Sequence, residues 1–366
     1  MSSSPLPGDG APLIEHERTM PERTTRGFGS DNHAGVHPAV LDAIVAANVG
    51  HALAYGGDPH TARALEVLCG HFGADCDIAF TFNGTGANVV CLSSACRPWE
   101  SVLCPATAHI NVDECGAPER IGSLKLIGIE TADGKLTPEL ASPYLIGFGN
   151  EHHVQPRVLS ISQITEYGTI YTAEEIRALS DLAHSHGMLL HMDGARLANA
   201  AVALDATLRE ITVDAGVDLL SLGGTKNGML AGEAVVLFGA GRSDALPFVR
   251  KQSGQLPSKM RFVAAQFTAM YEGDLWRECA GNANSMAARL AEGLRDAGFT
   301  LTQEPQANEV FALLPPTAVV VASEQYRAAA WQEASAGSDV EVRFVASWDT
   351  TADDVDAVLD ALITER

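Results

Sequence analysis

Apolar and polar positions alternate along this chain in two rhythms. PAVLDAIVAA (Pro38 to Ala47) and Thr61 to Phe72, with Ala64, Leu65, Leu68 and Phe72 on one side, carry the spacing of amphipathic helices, the first with Pro near its opening turn. DIAFTF (Asp77 to Phe82) is an apolar run that stops at NGTGAN (Asn83 to Asn88) and gives way to the helical VVCLSSAC. That is a strand, a glycine turn and a helix. Similar strand candidates follow as SVLCP (Ser101 to Pro105), KLIGIE (Lys125 to Glu130) and RVLSIS (Arg157 to Ser162). The helical AEEIRALSDLAHSHG leads into MLLHMD (Met188 to Asp193), and DLLSL and AVVLF close the series. Strands with little period-two alternation, interleaved with helices, predict an α/β fold with a parallel sheet covered on both faces. A long helix around Ala280 to Ala297 then precedes shorter strand candidates, EVFALL and EVRFVAS. The expected organisation is a tail over residues 1–26, a large domain over 27–270 and a small α+β domain over 271–366.

Length supports that division, because 366 residues exceed what one core usually holds. Composition is that of a soluble globular protein, 46% hydrophobic and 19% charged. A net charge of -22 argues against nucleic-acid and anionic-membrane partners, whose phosphates demand Lys and Arg. Met1 to Arg26 lacks an apolar signal core, and no window approaches the ~18 uninterrupted apolar residues of a membrane span. Seven cysteines without a CxxC pair point away from a disulfide framework and toward the reduced cytoplasm.

Small-molecule chemistry remains, and the unusual stretches sit at expected strand ends, where open parallel sheets bind ligands. NGTGAN opens a helix, so its N–H groups and the Thr85 hydroxyl can hold a phosphate. Taken alone it is equally a tight turn. HMDGARLANA puts Asp193 at a strand end, where it could be only a helix cap, and Arg196 three residues on. GGTKNG places Lys226 between two apolar strands. A P-loop would read GxxxxGK[ST], which is absent. A phosphate turn, an acid and a lysine are together what pyridoxal 5'-phosphate requires: an amine for its aldehyde, a carboxylate for its ring nitrogen and N–H donors for its phosphate. A desolvated lysine among glycines also becomes nucleophilic toward a carbonyl.

Further segments join these: GSDNHAG (Gly29 to Gly35), AYGGD (Ala54 to Asp58), TAHINVDECGAPE (Thr107 to Glu119), QITEYGT (Gln163 to Thr169), GQLPSKMRF (Gly254 to Phe262) and VRFVASWDT (Val342 to Thr350). With FNGTGAN, HMDGARLANA and GGTKNG they resemble the L-threonine aldolases from about Gly27 onward. Those are pyridoxal-phosphate enzymes of the aspartate aminotransferase fold, in the branch of the β-eliminating lyases.

The resemblance implies that Lys226 bonds the cofactor, that Asp193 faces its ring nitrogen, that Gly84, Thr85 and Gly86 hold its phosphate, and that His109 lies over its ring. It assigns Ser30, Arg196 and Arg343 to the substrate carboxylate, and Tyr55 and Lys259 to a neighbouring subunit's site in a homodimer or homotetramer. Glu166 stands where some relatives have histidine, and Gly57 where many have an acid. His109, Glu166, Asp113 and a bound water are thus all candidates for the base. No metal is expected, and the pair His152 and His153 reads as loop decoration. The implied reaction is retro-aldol cleavage of a β-hydroxy-α-amino acid to glycine and an aldehyde. The rivals are a β-eliminating lyase or aminotransferase on the same fold, and a homologue that binds the cofactor without turnover.

Overall fold

The computed structural model describes residues 26–331 and 338–365. All but Arg26 of the expected tail lies outside them. Seven strands form the large sheet: β1 (Cys76–Thr81), β2 (Glu100–Pro105), β3 (Lys125–Ile129), β4 (Gln155–Ser162), β5 (Leu189–Gly194), β6 (Leu219–Leu222) and β7 (Glu233–Phe238). Their spatial order is β1-β7-β6-β5-β4-β2-β3. The sheet is mostly parallel, as the apolar runs predict, but β7 runs antiparallel to both β1 and β6. Its connection to β6, Gly223 to Gly232, is shorter than the dozen or more residues that a parallel crossover needs. The reversal brings the first residue of β7, Glu233, to the edge where the other strands end.

Helices cover the sheet, and their boundaries follow local chemistry. The helix Pro59–Phe72 begins two residues before its periodicity does, because Asp58 caps it: its carboxylate accepts the Thr61 N–H at 2.9 Å and the Thr61 hydroxyl at 2.7 Å. It packs on the helix Met260–Tyr271, where Phe267 lies 4.7 Å from the Phe80 ring of β1. The helix Leu275–Asp296 begins five residues ahead of the predicted Ala280. Its first half adds Trp276, Cys279 and Ala280 to the large core, and its second half adds Ala287, Leu290 and Leu294 to a smaller one.

That smaller core lies against an antiparallel sheet in the order β10-β11-β9-β8, formed by β8 (Thr300–Leu301), β9 (Glu309–Leu314), β10 (Ala329–Ala330) and β11 (Val340–Val345). Phe28 belongs to the same core: its N–H bonds Tyr326 O and its carbonyl accepts from Val345 N–H, both at 2.7 Å. These bonds tie the start of the described chain to β11. Ser30 and Asp31 thereby reach the edge of the large sheet.

Candidate active site

A cavity of about 540 Å³ opens at that edge, lined by residues that follow β1, β2, β4, β5 and β6. Asn83 caps the helix Gly84–Ala95, accepting the Gly86 N–H at 2.8 Å. Gly84 and Thr85 line the cavity at the first helical positions, whose N–H groups have no intrahelical partner. Gly86 does not line it: its N–H is spent on Asn83, and an added Cβ would lie 2.2 Å from the Gln255 side chain. Two of the three expected phosphate residues thus reach the space, and Gln255 braces the turn by accepting the Phe82 N–H at 3.0 Å. Beyond Gly84 an added Cβ meets nothing within 4 Å, which leaves room for an anion at the positive helix end.

Asp193 stands one residue before β5 ends, buried. Its two oxygens accept from Ala195 N–H at 3.0 Å and from Asn88 Nδ2 at 2.8 Å. Asn88 also donates to Glu114 Oε1, which is 2.9 Å from His109 Nδ1. A chain of side chains therefore runs from Asp193 through Asn88 and Glu114 to His109. The hydrogen bond to Glu114 raises the proton affinity of His109, against the opposing effect of burial. His109, Glu114 and Asp193 bring potential metal-ligand atoms within 4.8 Å of one another, and in this structure those atoms are held by this hydrogen-bonded chain.

Glu166 also faces the cavity, on the turn after β4. That turn is pinned by Gln163, which exchanges hydrogen bonds with the Tyr171 backbone at 2.8 and 3.0 Å, and by the Thr165–Thr169 hydroxyl contact at 2.6 Å. Glu166 Oε1 accepts the His109 N–H at 2.8 Å and the Ser162 hydroxyl at 2.9 Å. Its Oε2 is out of solvent reach with no partner. Burial pushes this carboxyl up to about 7, although the N–H groups it accepts from pull the other way. Asp113, by contrast, is exposed at the rim. Its neighbour Glu114 is the acid that turns inward.

Lys226 sits half-buried on a 3-10 turn, Thr225–Asn227, between β6 and β7. Asn227 Nδ2 anchors the turn to Trp276 O at 2.9 Å, and Gly224 N–H donates to Glu233 at 2.6 Å. Gly223 must be glycine here, since its Cβ would lie 2.4 Å from Ala195 O. This close approach sets the lysine turn against the Asp193 turn. The charges that act on or through Lys226 include Asp31, His109 and Glu233. Burial pushes Glu233 up to about 7, against the Gly224 N–H.

Arg196 and Arg343 complete the wall. Arg196 forms a two-bond pair with Asp31, Nε at 2.6 Å and Nη2 at 3.1 Å. Burial opposes its charge, but Asp31 and Glu309 outweigh it and raise its proton affinity. Arg343 stacks over Trp331, 4.7 Å from the ring centroid. Ser30 lines the cavity while its hydroxyl accepts the Asn32 N–H at 3.1 Å.

In the sequence of the chain, residues 27–315 match the family described as "Beta-eliminating lyase". The chain belongs to the beta-eliminating lyase family. Low specificity L-threonine aldolase of Pseudomonas aeruginosa is 41% identical over 328 residues, 89% of this chain and 94% of its own. The enzyme of the same name from a Pseudomonas species is 40% identical over 88% and 93% of the two chains. A solved threonine aldolase of Leishmania major superposes with a TM-score of 0.87 at 30% identity, covering 92% of this chain and 98% of its own. The aspartate aminotransferase-like fold expected from the motifs is the one this lyase adopts.

The lyase cavity thus gathers Ser30, Gly84, Thr85, His109, Asp113, Glu166, Asp193, Arg196, Lys226 and Arg343. It does not gather Tyr55 or Lys259. Tyr55 is exposed, its N–H on Ser258 O at 3.0 Å, and Lys259 lines a separate hollow of about 180 Å³ with Ala54 and Met260. His152 and His153 are exposed. Sequence reasoning passed over Asn88, Asp31, Glu114 and Gln255, although each lies inside a quoted motif. It also passed over Glu233 and Glu309, whose signal was an acid opening an otherwise apolar strand.

Glu114→Gln is expected to lower the titration midpoint of His109 in an NMR titration of the holoenzyme, because the imidazolium loses its carboxylate partner. An unchanged midpoint would remove Glu114 as the cause. The His109–Glu114 pair stabilises the fold fully below the ordinary histidine range, and that contribution fades as pH rises through the raised His109 value.

Proposed function

We propose that this lyase is a pyridoxal-phosphate enzyme that cleaves L-threonine, L-allo-threonine and related β-hydroxy-α-amino acids to glycine and an aldehyde. The observation that carries this is the meeting of Lys226, Asp193 and the Gly84–Thr85 helix start in one cavity, in a chain about 40% identical to threonine aldolases. These residues fit the cofactor: an amine, a buried carboxylate and an anion-binding helix end.

When bound, the cofactor supplies an electron sink for the bond that breaks at the substrate α-carbon. Lys226 would hold it through its amine. Asp193 would face the ring nitrogen and favour its protonated form, and Gly84 and Thr85 would take the phosphate. His109 would cover the ring. Arg196 and Arg343, with Ser30, grip the substrate carboxylate and so fix which bond stands in line for cleavage. Glu166 takes the β-hydroxyl proton as the Cα–Cβ bond breaks, and the α-carbon is then protonated to give glycine. A cavity-lining carboxyl poised near 7 suits that task, and it supports Glu166 over the exposed Asp113.

We extend the proposal to the assembly. Tyr55 and Lys259, remote from the cavity within one chain, would complete the site of a neighbouring subunit in a homodimer or homotetramer. Residues 27–270 and 271–366 would form the two domains. Among the described residues no helix is long and apolar enough to cross a membrane, which is compatible with work in the cytoplasm.

Holoenzyme given L-threonine is expected to release glycine and acetaldehyde in equal amounts. Ammonia with a 2-oxo acid instead would transfer the chain to an eliminating activity. In Glu166→Gln, turnover should fall by ~100-fold or more with little change in substrate affinity, the usual worth of general acid-base catalysis. The acid limb of the pH-rate profile, expected near pH 7 as Glu166 is protonated, should vanish with it. Turnover and limb both unchanged would move the base elsewhere.

A further inference from the structure

Glu309 opens β9 with its side chain fully buried. Both carboxylate oxygens are out of solvent reach and neither has a hydrogen-bond partner. A buried carboxylate left so is costly unless charge compensates it. Two cations do. Arg196 Nη2 is 3.5 Å and Arg343 Nη1 3.8 Å from Glu309 Oε1, while both arginines line the cavity and Glu309 does not. The acid therefore lies behind the two guanidiniums.

The surroundings keep it there. Gly168, at φ +72°, would place a Cβ 3.2 Å from the Cβ of Glu309, so the QITEYGT turn closes over the acid. On the other side Asn308, the preceding residue, donates to Asp31 Oδ2 at 3.3 Å, and Asp31 holds Arg196. Arg343 has the Trp331 ring beneath it and Glu309 as its carboxylate within ion-pair range. An attraction at 3.5 to 3.8 Å orients a guanidinium without consuming an N–H donor. Arg196 gives Nε and one Nη2 hydrogen to Asp31, and Glu309 takes no donor from either arginine.

We infer that Glu309 is a positioning residue for the substrate carboxylate, holding Arg196 and Arg343 by charge so that their donors face the cavity. The inference rests on the reading that these arginines grip that carboxylate. Replacing the acid by its neutral isostere should loosen carboxylate binding, and with it some alignment of the bond, and leave the amine end alone.

In Glu309→Gln, KM for L-threonine should rise roughly 10-fold with a smaller fall in turnover, since most of what is lost is uniform binding and the rest is alignment of the bond. By calorimetry the holoenzyme should bind glycine roughly 10-fold more weakly, as for one weakened charged contact, and 2-aminoethanol, which lacks the carboxylate, as before. Equal weakening for both ligands would reduce Glu309 to a packing role, and no change in either would overturn the inference. If that variant fails to fold, Glu309→Asp, which draws the same charge back from the arginines, should shift glycine alone in the same direction by less. Equal shifts for the two ligands, or none, would overturn it there as well. Arg343→Ala separates the two claims: unchanged glycine affinity there would sink the arginine reading itself, and this inference with it.

Discussion

Asp193 stands one residue before β5 ends, buried, with its two oxygens held by Asn88 and the Ala195 N–H. Asp31, Glu114, Glu233 and Glu309 are buried around the same edge, and Glu166 reaches into it. Carboxylates out of water are costly unless each is paired or hydrogen-bonded. Much of the local architecture answers that demand. The Gly84–Ala95 helix brings Asn88 to bridge Asp193 and Glu114, the Phe28 pairing with β11 brings Asp31 to Arg196, and the reversed β7 brings Glu233 beneath the Gly224 N–H. Held in this way, the acids confer direction on the cations and on His109. The cavity then gathers an amine, a helix N-terminus and two guanidiniums.

The same packing separates roles among acids that look alike in sequence. Asp193 is satisfied by two donors. Glu166 keeps one oxygen unpartnered and is pushed up to about 7. Glu309 is matched by charge alone. Environment, rather than residue type, sets these three carboxyls apart.

How much of this was legible in the sequence follows from what each feature depends on. Strands such as DIAFTF and RVLSIS lack a strict polar alternation because both faces of the sheet are covered, so their apolar runs show directly, and Lys226, Asp193 and the NGTGAN turn stand out because glycines and charges interrupt those runs. The direction of β7 was not legible, since a strand reads the same either way and only the short Gly223 to Gly232 link decides it. Asp113 was chosen where Glu114 is the buried partner of His109: the two are adjacent, and which one turns inward depends on the end of the short helix His109–Val112. Glu309 comes from a strand more than eighty residues beyond Lys226, and nothing near it in sequence announces the arginines.

The central claim is that Asp193 acts on the cofactor ring rather than merely capping the turn at Ala195. Asp193→Asn tests it, with cofactor retention after gel filtration and turnover of L-threonine measured on the same sample. The amide keeps an oxygen for Asn88 or Ala195 and leaves Lys226 and the helix end in place, so the cofactor should be retained. Turnover should fall by ~100-fold or more, because the ring nitrogen loses the charge that keeps it protonated. Full turnover with retained cofactor would contradict the account and return Asp193 to a structural cap.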